Sequence, residues 1–89
     1  MIAKHLVITG RVQGVGYRDW MVAQARAMGL SGWVRNLPDG SVEALVAGDT
    51  PAVEEMLRKC RRGPSLAMVV SITEDLVEVP EEVGFRRGG

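Results

Sequence analysis

The sequence predicts an α+β sandwich: a four-stranded antiparallel sheet with two helices on one of its faces. Three observations carry the prediction. A period-2 stretch near the start gives way, across a glycine-rich bend, to a helical period; the middle reads "GWVRNLPDGSVEALVAG", a hairpin; and a fully punctuated second helix is followed by a β-branched run. The element order is β-α-β-β-α-β, and each half has the order of a split βαβ unit, which makes the ferredoxin-like sandwich the economical architecture. With 89 residues, residues 1–89 are expected to form a single domain, large enough to fold without staples.

The first strand is read from the alternation of Leu6, Ile8, Gly10 and Val12 on one side with His5, Val7, Thr9 and Arg11 on the other. "QGVG" at 13–16 is too rich in glycine to continue it. From Tyr17 onward, Tyr17, Met21, Ala25 and Met28 are spaced to share one helical face, and Gly29 stops the helix with Leu30 placed to pack back on its last turn. In the hairpin, Pro38 presets the turn and Asp39-Gly40 tolerate positive φ.

The second helix has Asp49 or Thr50 as N-cap, Pro51 in its first turn and Gly63-Pro64 as its stop. Val53, Met56, Leu57 and Cys60 form its apolar stripe, and Glu54/Arg58 and Glu55/Lys59 are expected i,i+4 pairs. The remainder reads as a fourth strand through Val79 that admits a bulge, then a short tail.

Composition closes several functional classes. Lys plus Arg and Asp plus Glu are balanced at 11 each, so no global field draws in nucleic acid or an anionic membrane, and any anion site must be local. The aromatics are scattered, without the stacking platform that RNA-binding sheets use. Cys60 is the only cysteine, which rules out an intramolecular disulfide and a thiolate metal cluster and suits a reducing cytoplasm. The apolar runs are too short to span a bilayer, and the start lacks the features of a signal peptide. His5, the one histidine, is expected on the outer side of the first strand as a plain exposed residue, and no serine has a histidine nearby in sequence to activate it. No metal or cofactor is expected.

One short stretch stands apart. "GRVQGVGYR" runs a strand through a glycine bend into a helix, a geometry in which successive backbone N–H groups converge on one anion at the positive end of the helix dipole. The spacing is neither that of a Walker loop nor of a dinucleotide fingerprint, so a nest for one phosphate-sized group remains. Arg18 in the first turn is repelled by the dipole by roughly a few tenths of a kcal/mol unless an anion lies between them. Its planar fork can grip two phosphoryl oxygens, or it can simply neutralise Asp19. Asn36 either caps the "LPDG" turn or, if its strand lies beside the first, turns its amide toward the nest and holds a water there.

With those residues in view, the chain resembles the acylphosphatases. "IxGxVQGVGYR", from Ile8 to Arg18, is similar to the first signature of that family, and "GWVRNxxxGxVxxxxxG", from Gly32 to Gly48, to the second; the similarity continues through "RRGP" at 61–64 and the Ala67, Val69 pattern after it. The resemblance implies the ferredoxin-like sandwich and an enzyme that hydrolyses the carboxyl–phosphate bond of acyl phosphates without a metal or cofactor. It also implies a phosphate-binding loop of Gln13, Gly14, Val15, Gly16, Tyr17 and Arg18, with Arg18 as catalytic arginine and Asn36 orienting the water. Tyr17 departs from the usual phenylalanine and adds a hydroxyl that needs a partner, and Met68 and Val70 stand where the family often has polar residues. A non-catalytic phosphate- or metabolite-binding regulatory module of the same fold is the alternative. The expected partner is a small-molecule acyl phosphate, with no nucleic acid and no membrane, for a cytoplasmic monomer.

Overall fold

The computed structural model describes residues 1–89. Its elements are β1 (Ile2–Arg11), α1 (Tyr17–Ala27), β2 (Ser31–Asn36), β3 (Val42–Gly48), α2 (Thr50–Arg62), β4 (Met68–Val77) and β5 (Phe85–Arg87). The sheet runs β4-β1-β3-β2-β5, antiparallel throughout its first four strands. Two expectations are corrected here. The sheet has a fifth strand, β5, which the sequence hides because it is three residues long and pairs parallel to β2. And β1 and β2 are not neighbours: β3 lies between them, as a split βαβ unit requires.

The core forms where the period-2 faces of the strands meet the stripes of the helices. Leu6, Ile8, Val34, Val42, Ala44, Val46 and Phe85 from the sheet pack against Tyr17, Met21, Ala25, Val53, Met56 and Cys60 from the helices, nearly all without solvent exposure. Helix α1 ends as the sequence predicts, with the Leu30 N–H donating to Ala25 O (2.9 Å) and the Gly29 N–H to Arg26 O (3.1 Å). Asp49 occupies the α2 N-cap position but makes no side-chain capping bond. The expected helix pairs differ: Glu55 accepts from Arg58, one position nearer, and Lys59 donates instead to Gln24 Oε1 on α1 (3.0 Å), a tie between the two helices.

The Tyr17 hydroxyl has a specific duty. Within α2 the carbonyl of Cys60 would accept from residue 64, but that residue is Pro64, which has no N–H. The buried Tyr17 hydroxyl donates to Cys60 O at 2.7 Å and fills the vacancy. Burial, with the Cys60 contact adding to it, pushes the phenol far above its usual range. Tyr17→Phe keeps the ring but strands a buried carbonyl, so it should lower unfolding stability by about 1–3 kcal/mol; urea denaturation of the two proteins measures it.

On the open face of the sheet His5 is half-buried rather than plainly exposed. Its Nε2 donates to Glu43 Oε2 at 2.7 Å, its ring meets Trp33 edge-on at 6.4 Å, and the Arg35 guanidinium lies 5.3 Å from the Trp33 centroid. The His5 bond, then that of Arg35, holds the Glu43 carboxyl below its usual range. The stability this contributes is present at neutral pH and is lost as acid protonates Glu43.

At the sheet edge, β4 carries the bulge that the sequence admitted: Thr9 faces Ser71 while Gly10 faces Val69, leaving Val70 extra. Met68 and Val70 are 69% and 76% exposed there. An apolar outer strand is a template for edge-to-edge association. Met68→Lys with Val70→Thr should reduce light scattering on heating while the far-UV spectrum is unchanged.

Candidate active site

The stretch between β1 and α1 is built by its glycines. Gly14 and Gly16 adopt φ of 73° and 79°, the left-handed region that a Cβ disfavours, and this folds the chain back so that Gly16 becomes the N-cap of α1. No side chain caps that helix, and the first loop-to-helix bond runs from the Trp20 N–H to Gly16 O (3.0 Å). None of the backbone bonds made in loops and caps uses an N–H of residues 13–19 as donor. These donors are thus unspent at the positive end of a helix dipole.

The bend borders a cavity of about 230 Å³. Val12, Gln13, Gly14 and Gly16 line it from the bend; Tyr17, Arg18 and Asp19 from the first turn of α1; Asn36 from the end of β2; and Arg87 from β5. The volume is several times the ~30 Å³ share of one water, enough for a small polyatomic group together with a water. Two guanidinium groups against one carboxylate leave the lining net positive.

Arg18, half-buried, donates through Nη1 to the backbone oxygens of Gly89 (2.8 Å) and Gly88 (3.3 Å), which aligns the guanidinium along the cavity wall. It does not pair with Asp19, whose partner is Arg87 Nη1 at 2.7 Å. Asn36 reaches the cavity although β3 separates its strand from β1, because the hairpin turn folds over the bend. Gln13 makes that closure: its Nε2 donates to Leu37 O and to Ser41 O, both at 2.8 Å. The Gln13 side chain is therefore committed to the hairpin, while its backbone N–H stays unspent. Asp39 stiffens the same turn by accepting from the Ser41 N–H and hydroxyl. Asn36 does not cap the turn: its Oδ1 is buried with no hydrogen-bond partner.

Of the residues singled out from the sequence, Gln13, Gly14, Gly16, Tyr17, Arg18 and Asn36 all line the cavity, whereas Val15 packs toward the core. Asp19 and Arg87 were not foreseen there. No sequence pattern marked the latter, because its strand is only three residues long. Cys60 is buried in the core and its thiol is pushed up to about 12 by burial, which removes it as a nucleophile. No three His, Cys, Asp or Glu side chains gather as a metal site, and no helix is long and apolar enough to cross a membrane. A larger depression of about 440 Å³, at the opposite end of β2, contains Arg26 already bonded to Phe85 O and no unpartnered buried polar atom.

Fold and cavity together define a class: a ferredoxin-like α+β sandwich with a glycine bend of unspent N–H donors bordering a cavity between its first strand and first helix. Comparisons narrow the class. The sequence model of the Acylphosphatase family matches residues 4–87. An acylphosphatase of Acidiphilium cryptum (strain JF-5) is 67% identical over 85 residues, covering 96% of this chain and 93% of that protein. One of Rhodopseudomonas palustris (strain ATCC BAA-98 / CGA009) is 50% identical over 88 residues, covering 99% and 88%. The crystal structure of acylphosphatase from Bacillus subtilis superposes with a TM-score of 0.95 at 30% identity, over 100% of both chains. The chain belongs to the acylphosphatase family, enzymes that hydrolyse acyl phosphates.

Proposed function

We propose that the cavity binds the phosphoryl group of an acyl phosphate on the backbone N–H groups of residues 13–18 and on Arg18, and that Asn36 orients the water that attacks phosphorus. The observation that carries this reading is the Asn36 Oδ1, an acceptor buried at the cavity with nothing bonded to it. A buried acceptor without a partner is costly, and a water donating to it satisfies the amide while being held in place.

The water oxygen forms a bond to phosphorus as the bond from phosphorus to the acyl oxygen breaks. The acyl group departs as a carboxylate, and the water's protons pass to a phosphoryl oxygen or to bulk water, giving inorganic phosphate. The leaving group has a conjugate-acid pKa of about 4, so it needs no protonation and the site needs no general acid. Charge on the equatorial phosphoryl oxygens is what must be stabilised, and fixed donors with a guanidinium supply that. The Asn36 amide has no useful ionisation near neutral pH, so it positions water and takes no proton.

The accompanying reading is a monomeric, cytoplasmic single domain that takes a small-molecule acyl phosphate and no nucleic acid; balanced charge supports the absence of a nucleic-acid partner, and the single cysteine suits a reducing compartment. The test is hydrolysis of benzoyl phosphate, followed by absorbance with and without a chelator. Turnover unchanged by the chelator is expected. Phosphate binding without turnover would instead make the domain a regulatory binder.

A further inference from the structure

We infer that Arg87 is a specificity-determining residue at the mouth of the phosphoryl cavity, selecting acyl phosphates whose acyl half carries a second anionic group. The inference rests on the reading of the cavity as an acyl phosphate site. Its starting point is the register of β5. Gly32 pairs with Phe85, Trp33 with Arg86 and Val34 with Arg87, and the parallel ladder continues as the Asn36 N–H donates to Gly89 O (3.3 Å). Side chains alternate across a strand. Phe85 is buried on the helix side, at 2% exposure, so Arg87 is on that side too, beside Val34 and at the end of the sheet where Asn36 lines the cavity.

The two guanidinium groups of the cavity differ in their commitments. Arg18 is half-buried and donates to the backbone oxygens of Gly88 and Gly89. Arg87 is 46% exposed, and its partner Asp19 is 73% exposed. An ion pair so open to water is weak and readily exchanged. With the phosphoryl group seated on the bend, the acyl group must leave the cavity through its open rim, where this pair lies. A carboxylate or a second phosphate there can take the place of Asp19 on Arg87, so the guanidinium trades one anion for another, while an uncharged acyl group leaves the pair untouched. Asp19 works in the opposite direction, competing for Arg87 and repelling the incoming anion.

The test compares benzoyl phosphate with 4-carboxybenzoyl phosphate, which differ by one carboxylate remote from the phosphorus, in wild type, Arg87→Gln, Arg87→Lys and Asp19→Asn. The readout is the ratio of kcat/KM for the carboxylated substrate to that for the neutral one. It should fall about tenfold in Arg87→Gln, the size of one lost charge-assisted contact, recover largely in Arg87→Lys, and rise in Asp19→Asn. A merely structural role for Arg87 would lower both rates and leave the ratio alone. An unchanged ratio in Arg87→Gln, or a fall in Asp19→Asn, overturns the inference. Wild type that hydrolyses neither compound would overturn the hydrolytic reading itself, and this inference with it.

Discussion

Arg18→Gln should reduce kcat on benzoyl phosphate by about 10³-fold or more, the scale on which a guanidinium stabilises charge in phosphoryl transfer. Glutamine keeps the length and some hydrogen bonding but loses the charge and the fork. Inorganic phosphate, as product, should inhibit the variant far less than the wild type, because the same group holds it. Stability should move little or in the favourable direction. Arg18 is a cation in the first turn of α1, where the helix dipole disfavours it, and only its bonds to Gly88 and Gly89 offset that. An inactive variant with an unchanged or slightly raised Tm marks a residue kept for function at some cost to the fold. Full turnover with undiminished phosphate inhibition would remove Arg18 from the site.

Asn36→Ala should lower kcat by about 10²-fold with KM nearly unchanged, since misplacing one reactant costs rate on that order while the phosphoryl contacts remain. Asn36 lines the cavity, and its backbone N–H bond to Gly89 O survives the substitution, so β5 keeps its place beside β2. Asn36→Asp is a sharper second variant. It restores an acceptor but introduces a negative charge facing an anionic substrate, so KM should rise where alanine leaves it alone. Equal kcat in wild type and Asn36→Ala would show that the water is aimed by something else.

Much of this fold was legible because its signals are local. Period-2 alternation around Leu6 and Ile8, the turn at Pro38 to Gly40 between apolar flanks, the β-branched run after Pro64, the helical face from Tyr17, the apolar stripe of α2 and the glycine stops at Gly29 and Gly63 each depend on nearby residues, and all four long strands and both helices follow from them. The charged pairs on α2 were less legible, since Glu55 could reach Arg58 or Lys59 and the choice was made by Gln24 on another helix. Strand β5 was invisible for a different reason. Three residues have too little pattern to announce a strand; what makes them one is Phe85 entering the core and β2 offering its free edge.

The candidate site divides along the same line. The half proposed to hold the phosphoryl group, "GRVQGVGYR", is specified by sequence alone, because a glycine bend and the helix it opens are set by the φ preferences of adjacent residues and place Arg18 beside unspent N–H groups wherever the rest of the chain goes. Everything that meets it was decided by the tertiary structure. Asn36 arrives from a strand that does not touch β1, drawn over by Gln13, and Arg87 arrives from a strand that exists only by pairing. The Tyr17 hydroxyl found its acceptor at a carbonyl that Pro64 had left free. Such meetings depend on sheet order and packing, which no single segment encodes.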